Sequence, residues 1–401
     1  MPRIIGSPLR YIQGPNQIEN IFNDIADWGT NFLFILDKPV AAKVQPKIIE
    51  AFKEGNAKIK DKKDQHEIKF ENFNGESSMV EIDRLAKSAA ASKCDVIVAV
   101  GGGKCADAVK AAAYKAKAVC IIVSTAASCD APCSHSAIIY KENHEFDQYY
   151  YPVKSPEVVI VDSKIIAEAP VRLLKAGLGD ALSTYFEARS AYASNREVTE
   201  WKGHPSITGL ALAELCYKTI LKDGFKACVA CENKVVTEAL ENVIEANTYL
   251  STIGFESGGL GAAHSIQDAL SLIPEVHACY HGEKVAFGTI CHLVLENASI
   301  AELNKVLAFC VSVDLPVCLK DLHIEKLDKK LLNKVAEKAS GPGVPMGNMP
   351  FKVTPDMVAS AIIVADKLGT YFKKHGCFPG GDDCCCCCDC GCDCGCSIAN
   401  N

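Results

Sequence analysis

Hydrophobic positions fall into short dense runs in the first part of the chain and into helical spacing in the second. Phe32 to Leu36 is an apolar run that stops at Asp37-Lys38-Pro39; the proline ends the extended stretch, and a helix-like segment follows over 40–52. Residues 68–73 alternate apolar and polar with period two, which predicts a half-buried strand. Helical spacing returns over 79–92. Residues 95–100, Asp-Val-Ile-Val-Ala-Val, make a β-branched run of the kind buried on both faces of a parallel sheet. It enters Gly101-Gly102-Gly103-Lys104, after which an alanine-rich helix runs to Lys115; 119–123 and 158–161 predict two further strands. This alternation implies a parallel sheet with helices on both faces.

After Asp162 the pattern changes. Helical periodicity runs from Ser163 to about Lys374, and Pro170, Gly177, Gly179, Pro205, Gly224, Gly254, Pro274, Pro316 and Pro345 are expected to divide it into helices of ordinary length. The expected organisation is an α/β dinucleotide-binding domain over 1–163, an all-α catalytic domain over 164–376, and a disordered Cys-rich tail over 377–401. No internal repeat is visible.

Composition narrows the classes. A chain of 401 residues with 49% hydrophobic positions is long enough for two domains and apolar enough for a real core. The longest apolar runs, such as 94–100 and 117–123, fall far short of the about 20 residues a membrane helix needs. A net charge of −7 gives no basic footprint for nucleic acid. The start, MPRIIGSPLRYIQG, lacks the apolar core of a secretion signal, so a cytoplasmic protein is expected. Of 22 cysteines, nine crowd into 384–396; the remainder are scattered through strands and helices and read as reduced core thiols.

Two regions carry candidate chemistry. Three glycines at the carboxyl end of a buried strand, followed by a helix, can cradle a diphosphate on exposed backbone N–H groups; a plain tight turn is the alternative. The pattern is neither GxGxxG nor a P-loop. Asp37, past another strand end, can accept from an adenosine ribose and disfavour a 2′-phosphate, or can simply be turn chemistry before a proline. In the helical half, Asp180, His264 and His281 supply two imidazoles and a carboxylate, the ingredients of a catalytic zinc site with an open position. Their spacing is no local signature, and either histidine could be a buried packing residue. The glycines around His264 and after His281 suggest close approach of a backbone or a ligand.

Five separated blocks carry a resemblance: GGGK after a strand, STAASCDAPCS (124–134), GLGDALSTYFEAR (177–189), ESGGLGAAHS (256–265) and YHGEKVAFGT (280–289). Together with similarity at 3–14 and 347–351, they resemble the glycerol dehydrogenase branch of the iron-containing, or group III, alcohol dehydrogenase family, over roughly residues 3–374. The resemblance implies an NAD-binding domain, a helical domain and an active site in the cleft between them. It implies Asp180, His264 and His281 as metal ligands, with zinc bound and ferrous iron as the alternative. Many iron-dependent members carry a histidine four residues after the aspartate; Thr184 stands there, matching the three-ligand glycerol type. Cofactor contacts carry over to Asp37, Gly102, Gly103, Lys104, Asp107, Thr125, Ser128, Ser134, Ser136 and Tyr140, and Asp130 to the substrate-contacting position. Ser136 replaces a usual leucine, and His135 a usual small residue, so the shape of the nicotinamide pocket departs from the family pattern.

The implied chemistry is hydride transfer from glycerol or another 1,2-diol to nicotinamide, with the cation making the substrate hydroxyl easier to deprotonate, and Asp130 and His264 as catalytic residues. The implied partners are a small polyol and further copies of the chain, by resemblance an octamer. Glycerol-1-phosphate dehydrogenase and dehydroquinate synthase resemble the chain less. A non-catalytic metal-binding protein would rest on the tail alone. Clustered thiols there would bind zinc or copper(I), or accept palmitate, or do nothing.

Overall fold

The computed structural model describes residues 2–143, 145–197 and 200–378. The Cys-rich stretch 384–396, with its metal-binding and lipidation readings, lies outside the described residues. Of the expected tail only Cys377 and Phe378 are described; Phe378 is buried, and its N–H donates to Asn304 Oδ1 at 2.9 Å.

Among the described residues there are eight strands: β1 (Arg10–Gly14), β2 (Asn31–Leu36), β3 (Glu67–Asn72), β4 (Val96–Gly101), β5 (Val119–Ser124), β6 (Ala137–Tyr140), β7 (Phe146–Tyr150) and β8 (Val158–Asp162). Six form one parallel sheet in the order β1-β8-β5-β4-β2-β3, and β6 pairs antiparallel with β7. The β-branched runs are central because both of their faces are covered. Phe32, Phe34, Val96, Val98 and Val100 enter one core, while Leu33, Ile35, Ile97 and Ala99 enter another that continues into the helical half. The predicted strands and helices of this half are present, with small end shifts. β1 and the β6–β7 hairpin were not predicted; β7 is mostly exposed, so it carries no apolar run to read.

Among the described residues every regular element after β8 is a helix. The N-terminal region is thus α/β on a parallel sheet, and the C-terminal region is helical. No helix of the described residues is long and apolar enough to cross a membrane. The cysteines from Cys94 to Cys318 are free thiols, most of them buried.

The four glycines expected to divide the helical half do not act as breaks. Gly177 and Gly179 lie inside the Val171–Ser194 helix, Gly224 inside Ile207–Glu232 and Gly254 inside Ser251–Gly258. They are there for space. A Cβ on Gly177 would lie 2.0 Å from the carbonyl of Ala127, and one on Gly179 would lie 2.3 Å from that of Gly282. The Val171–Ser194 helix is therefore pressed against both the loop after β5 and the start of the His281–Leu295 helix. The polypeptide brings its candidate residues together through these two contacts.

Candidate active site

The first part of the site lies at the carboxyl ends of the strands, where open α/β sheets bind ligands. β2 is followed at once by Asp37, whose N–H donates to Val100 O at 2.9 Å; the Thr125 N–H donates to Gly101 O at 3.1 Å. Adjacent strand ends thus place Asp37, the three glycines and Thr125 side by side. Each glycine has a different reason. A Cβ on Gly101 would sit 2.7 Å from Asp37 Cβ, and one on Gly103 would sit 2.9 Å from Cys129 Sγ. On Gly102 it would meet nothing within 4 Å, so this backbone faces open space. Gly102 also caps the Gly103–Ala116 helix without a side chain, which leaves the first N–H groups available to an anion. Burial pushes the Asp37 carboxyl up, against the opposing pull of the Gly102 and Lys38 N–H groups.

The other expected cofactor residues divide into two sets. Lys104 ion-pairs with Glu76 at 2.7 Å and lies over the Tyr140 ring, 5.0 Å from its centroid; Ser128 is partly exposed. Asp107 and Ser134 are buried and committed to internal partners. Asp107 pairs with Lys110 at 2.8 Å and accepts from the Ile138 N–H at 3.2 Å. Ser134 donates to Glu256 at 2.7 Å and lies 2.7 Å from the Ser136 hydroxyl. His135 is buried too, held to Glu256 at 2.6 Å and stacked on Trp201 at 3.7 Å. Glu256, the first residue of the ESGGLGAAHS block, anchors this loop, and nothing in the sequence signals that role.

The second part is the ligand trio. Asp180 sits in the middle of the Val171–Ser194 helix and is 1% exposed. His264 is in the first turn of the Ala262–Leu270 helix, and His281 begins the next long helix. Asp180 Oδ1 lies 3.4 Å from His264 Nε2 and 3.3 Å from His281 Nε2, and it has no hydrogen-bond partner. One candidate ligand atom from each residue lies within 4.8 Å of the others, the one such cluster of three among the described residues. Tetrahedral coordination with bonds of about 2.1 Å separates ligand atoms by roughly 3.4 Å, so a buried orphan oxygen flanked at these distances suits a divalent cation. Thr184 stays off the trio; its hydroxyl lies 2.8 Å from Ser251 Oγ.

Charge fits as well. Asp180, Glu187 and Asp130 bring three carboxyl groups to two imidazoles. Burial pushes Asp180 up, but His281 and His264 pull it well below the carboxylate range. Burial would lower His264; Glu187 and Asp180 outweigh it and raise the ring well above its usual value. Asp130, raised by burial and by Asp180, donates its N–H to Asp180 Oδ2 at 3.4 Å, and Ser251 Oγ donates to Asp130 Oδ2 at 2.9 Å. Sequence reading missed Ser251 and Glu187. Glu187 had a signal: seven residues after Asp180 is two helical turns, hence the same face.

Comparison with known proteins agrees over nearly the whole chain. The family model for iron-containing alcohol dehydrogenase matches residues 8–163. A glycerol dehydrogenase of Escherichia coli O6:H1 is 45% identical over 372 residues, covering 93% of this chain and 99% of that protein. A glycolaldehyde reductase of Halobacterium salinarum is 39% identical over 369 residues, covering 92% and 98%. The crystal structure of a probable glycerol dehydrogenase from Sinorhizobium meliloti superposes with a TM-score of 0.84 at 38% identity, covering 92% and 99%.

Proposed function

Because the chain belongs to the iron-containing alcohol dehydrogenase family, and is thus an oxidoreductase of glycerol-type polyols, we propose that it oxidises glycerol and related 1,2-diols with NAD. Glycerol would yield dihydroxyacetone, and zinc, with ferrous iron as the alternative, would be the bound metal. The observation that carries this reading is the unpartnered Asp180 Oδ1 facing two imidazole nitrogens at 3.3 and 3.4 Å.

Asp180, His264 and His281 would hold the cation. When bound, the metal supplies Lewis-acid polarisation of the substrate oxygen and the nicotinamide supplies the hydride acceptor. The chain's own groups do the placing. Backbone N–H groups at the Gly103–Lys104 helix start, beside Gly102, would hold the diphosphate, and Asp37 would hold the adenosine ribose. Ser251 fixes one oxygen of Asp130, which leaves the other to accept from a substrate hydroxyl. A vicinal diol offers the second oxygen that such a contact rewards, and a simple alcohol does not. The glycolaldehyde-reducing relative acts on a smaller compound of the same hydroxycarbonyl type, which supports a substrate class defined by adjacent oxygens rather than by chain length. Homo-oligomer assembly through the helical half belongs to this reading. A cytoplasmic location is part of the same reading.

Chelation tests the proposal: metal-stripped enzyme should lose glycerol oxidation and regain it with zinc. Full activity without metal would refute it. A panel of diols, aldehydes and simple alcohols, each with NAD and NADP, then fixes the substrate class.

A further inference from the structure

His264 is held at two points by one side chain. Its ring Nδ1 lies 2.6 Å from Glu187 Oε2, and its backbone N–H donates to Glu187 Oε1 at 2.9 Å. Glu187 is fully buried, so both of its oxygens are spent on this one residue. The backbone bond has a local cause. His264 is the third residue of the Ala262–Leu270 helix, whose first-turn N–H groups need acceptors, and the N-cap, Gly261, has no side chain to provide one. Glu187 takes the place of the missing cap from a neighbouring helix.

The ring bond has a chemical consequence. An ionised carboxylate only accepts, so Nδ1 carries a proton toward Glu187, and Nε2 is the ring nitrogen left to face a cation. Nε2 is the atom 3.4 Å from Asp180 Oδ1. Asp180 and Glu187 stand on the same helix, two turns apart, so one element presents the first ligand and also orients the ring of the second.

We propose that Glu187 is the positioning residue of the metal site, holding His264 Nε2 in place toward the cation. This rests on the reading of Asp180, His264 and His281 as ligands. Carboxylates in this role typically account for about 10- to 100-fold in metal affinity.

The test is zinc affinity by competition with a chromophoric chelator, on the full chain, comparing wild type with Glu187→Gln and Glu187→Asp. NAD affinity and thermal unfolding of the metal-free forms are measured in parallel. Glutamine can accept one of the two bonds but sets an N–H₂ against the other donor. We expect about 10- to 100-fold weaker zinc binding and unchanged NAD affinity. The metal-free Tm should fall much less than the zinc-induced rise in Tm shrinks. Aspartate should restore part of the affinity. Wild-type zinc affinity in Glu187→Gln would overturn the proposal; where that variant fails to fold, a 15N spectrum of the zinc-bound wild type showing His264 coordinated through Nδ1 would do so. A wild-type protein that binds no zinc would instead overturn the ligand reading on which the proposal stands.

Discussion

Replacing Gly282 with alanine tests how the fold assembles its site. Gly282 is the second residue of the His281–Leu295 helix. By helix propensity alone, alanine there gains up to about 1 kcal/mol. Space opposes it: the added Cβ would lie 1.8 Å from Ala176 O and 2.9 Å from Asp180 N. Bringing the carbonyl contact to 3.0 Å, the shortest that real Cβ atoms show, requires a local separation of about 1.2 Å. Metal bonds tolerate about 0.2 Å, and the Asp180–His281 ligand pair spans this same crossing at 3.3 Å. Overpacking of this kind costs about 1–3 kcal/mol. If that cost falls on the ligand geometry, zinc affinity drops by about 5- to 150-fold. Chelator competition reads the affinity, and thermal unfolding of the metal-free protein reads the packing cost. Gly347, whose added Cβ would meet nothing within 4 Å, gives the control in Gly347→Ala. Wild-type affinity and wild-type Tm in Gly282→Ala would show that the helix crossing does not set the ligand geometry.

Other perturbations separate the parts of the site. Asp130→Asn should lower kcat/KM for glycerol about 10-fold or more while changing NAD affinity little, since a hydrogen bond to a charged group is worth about 1.5–3 kcal/mol; equal losses in both would remove its substrate role. Asp37→Ala should raise the NADP to NAD ratio of kcat/KM, and an unchanged ratio would mean that Asp37 is only a turn residue. Glu296 governs acid stability: burial pushes its carboxyl up, but His292, Ser190 and Arg189 hold it down at about 2. A depressed acid contributes stability that is complete above its unfolded value of 4.5 and lost as the pH falls toward 2, on the order of 3 kcal/mol. Glu296→Gln should flatten the fall of the urea midpoint between those pH values, and an unaltered slope would exclude this role.

Much of the α/β half was legible because strands buried on both faces, such as 96–100 and 119–123, have no polar alternation to confuse them with anything else. The glycine turn was legible for the same reason, as its strand and helix flank it in sequence. The metal trio was not legible from spacing. Asp180, His264 and His281 meet only because Gly177, Gly179 and Gly282 let backbones touch, and a glycine inside a helix reads in sequence as a break. The glycine after His281 did signal a close approach, and the approaching group is a backbone. Thr184 and Ser251 are joined to Asp130 by hydrogen bonds between residues 67 and 121 positions apart, which no local pattern encodes.

Anomalous diffraction at the zinc edge, from crystals of catalytically active protein, tests the central claim most directly. It should place a single strong peak at bonding distance, about 2.0–2.2 Å, from an oxygen of Asp180 and the Nε2 atoms of His264 and His281. Active crystals with no peak there, or with the metal bound by other side chains, would contradict it.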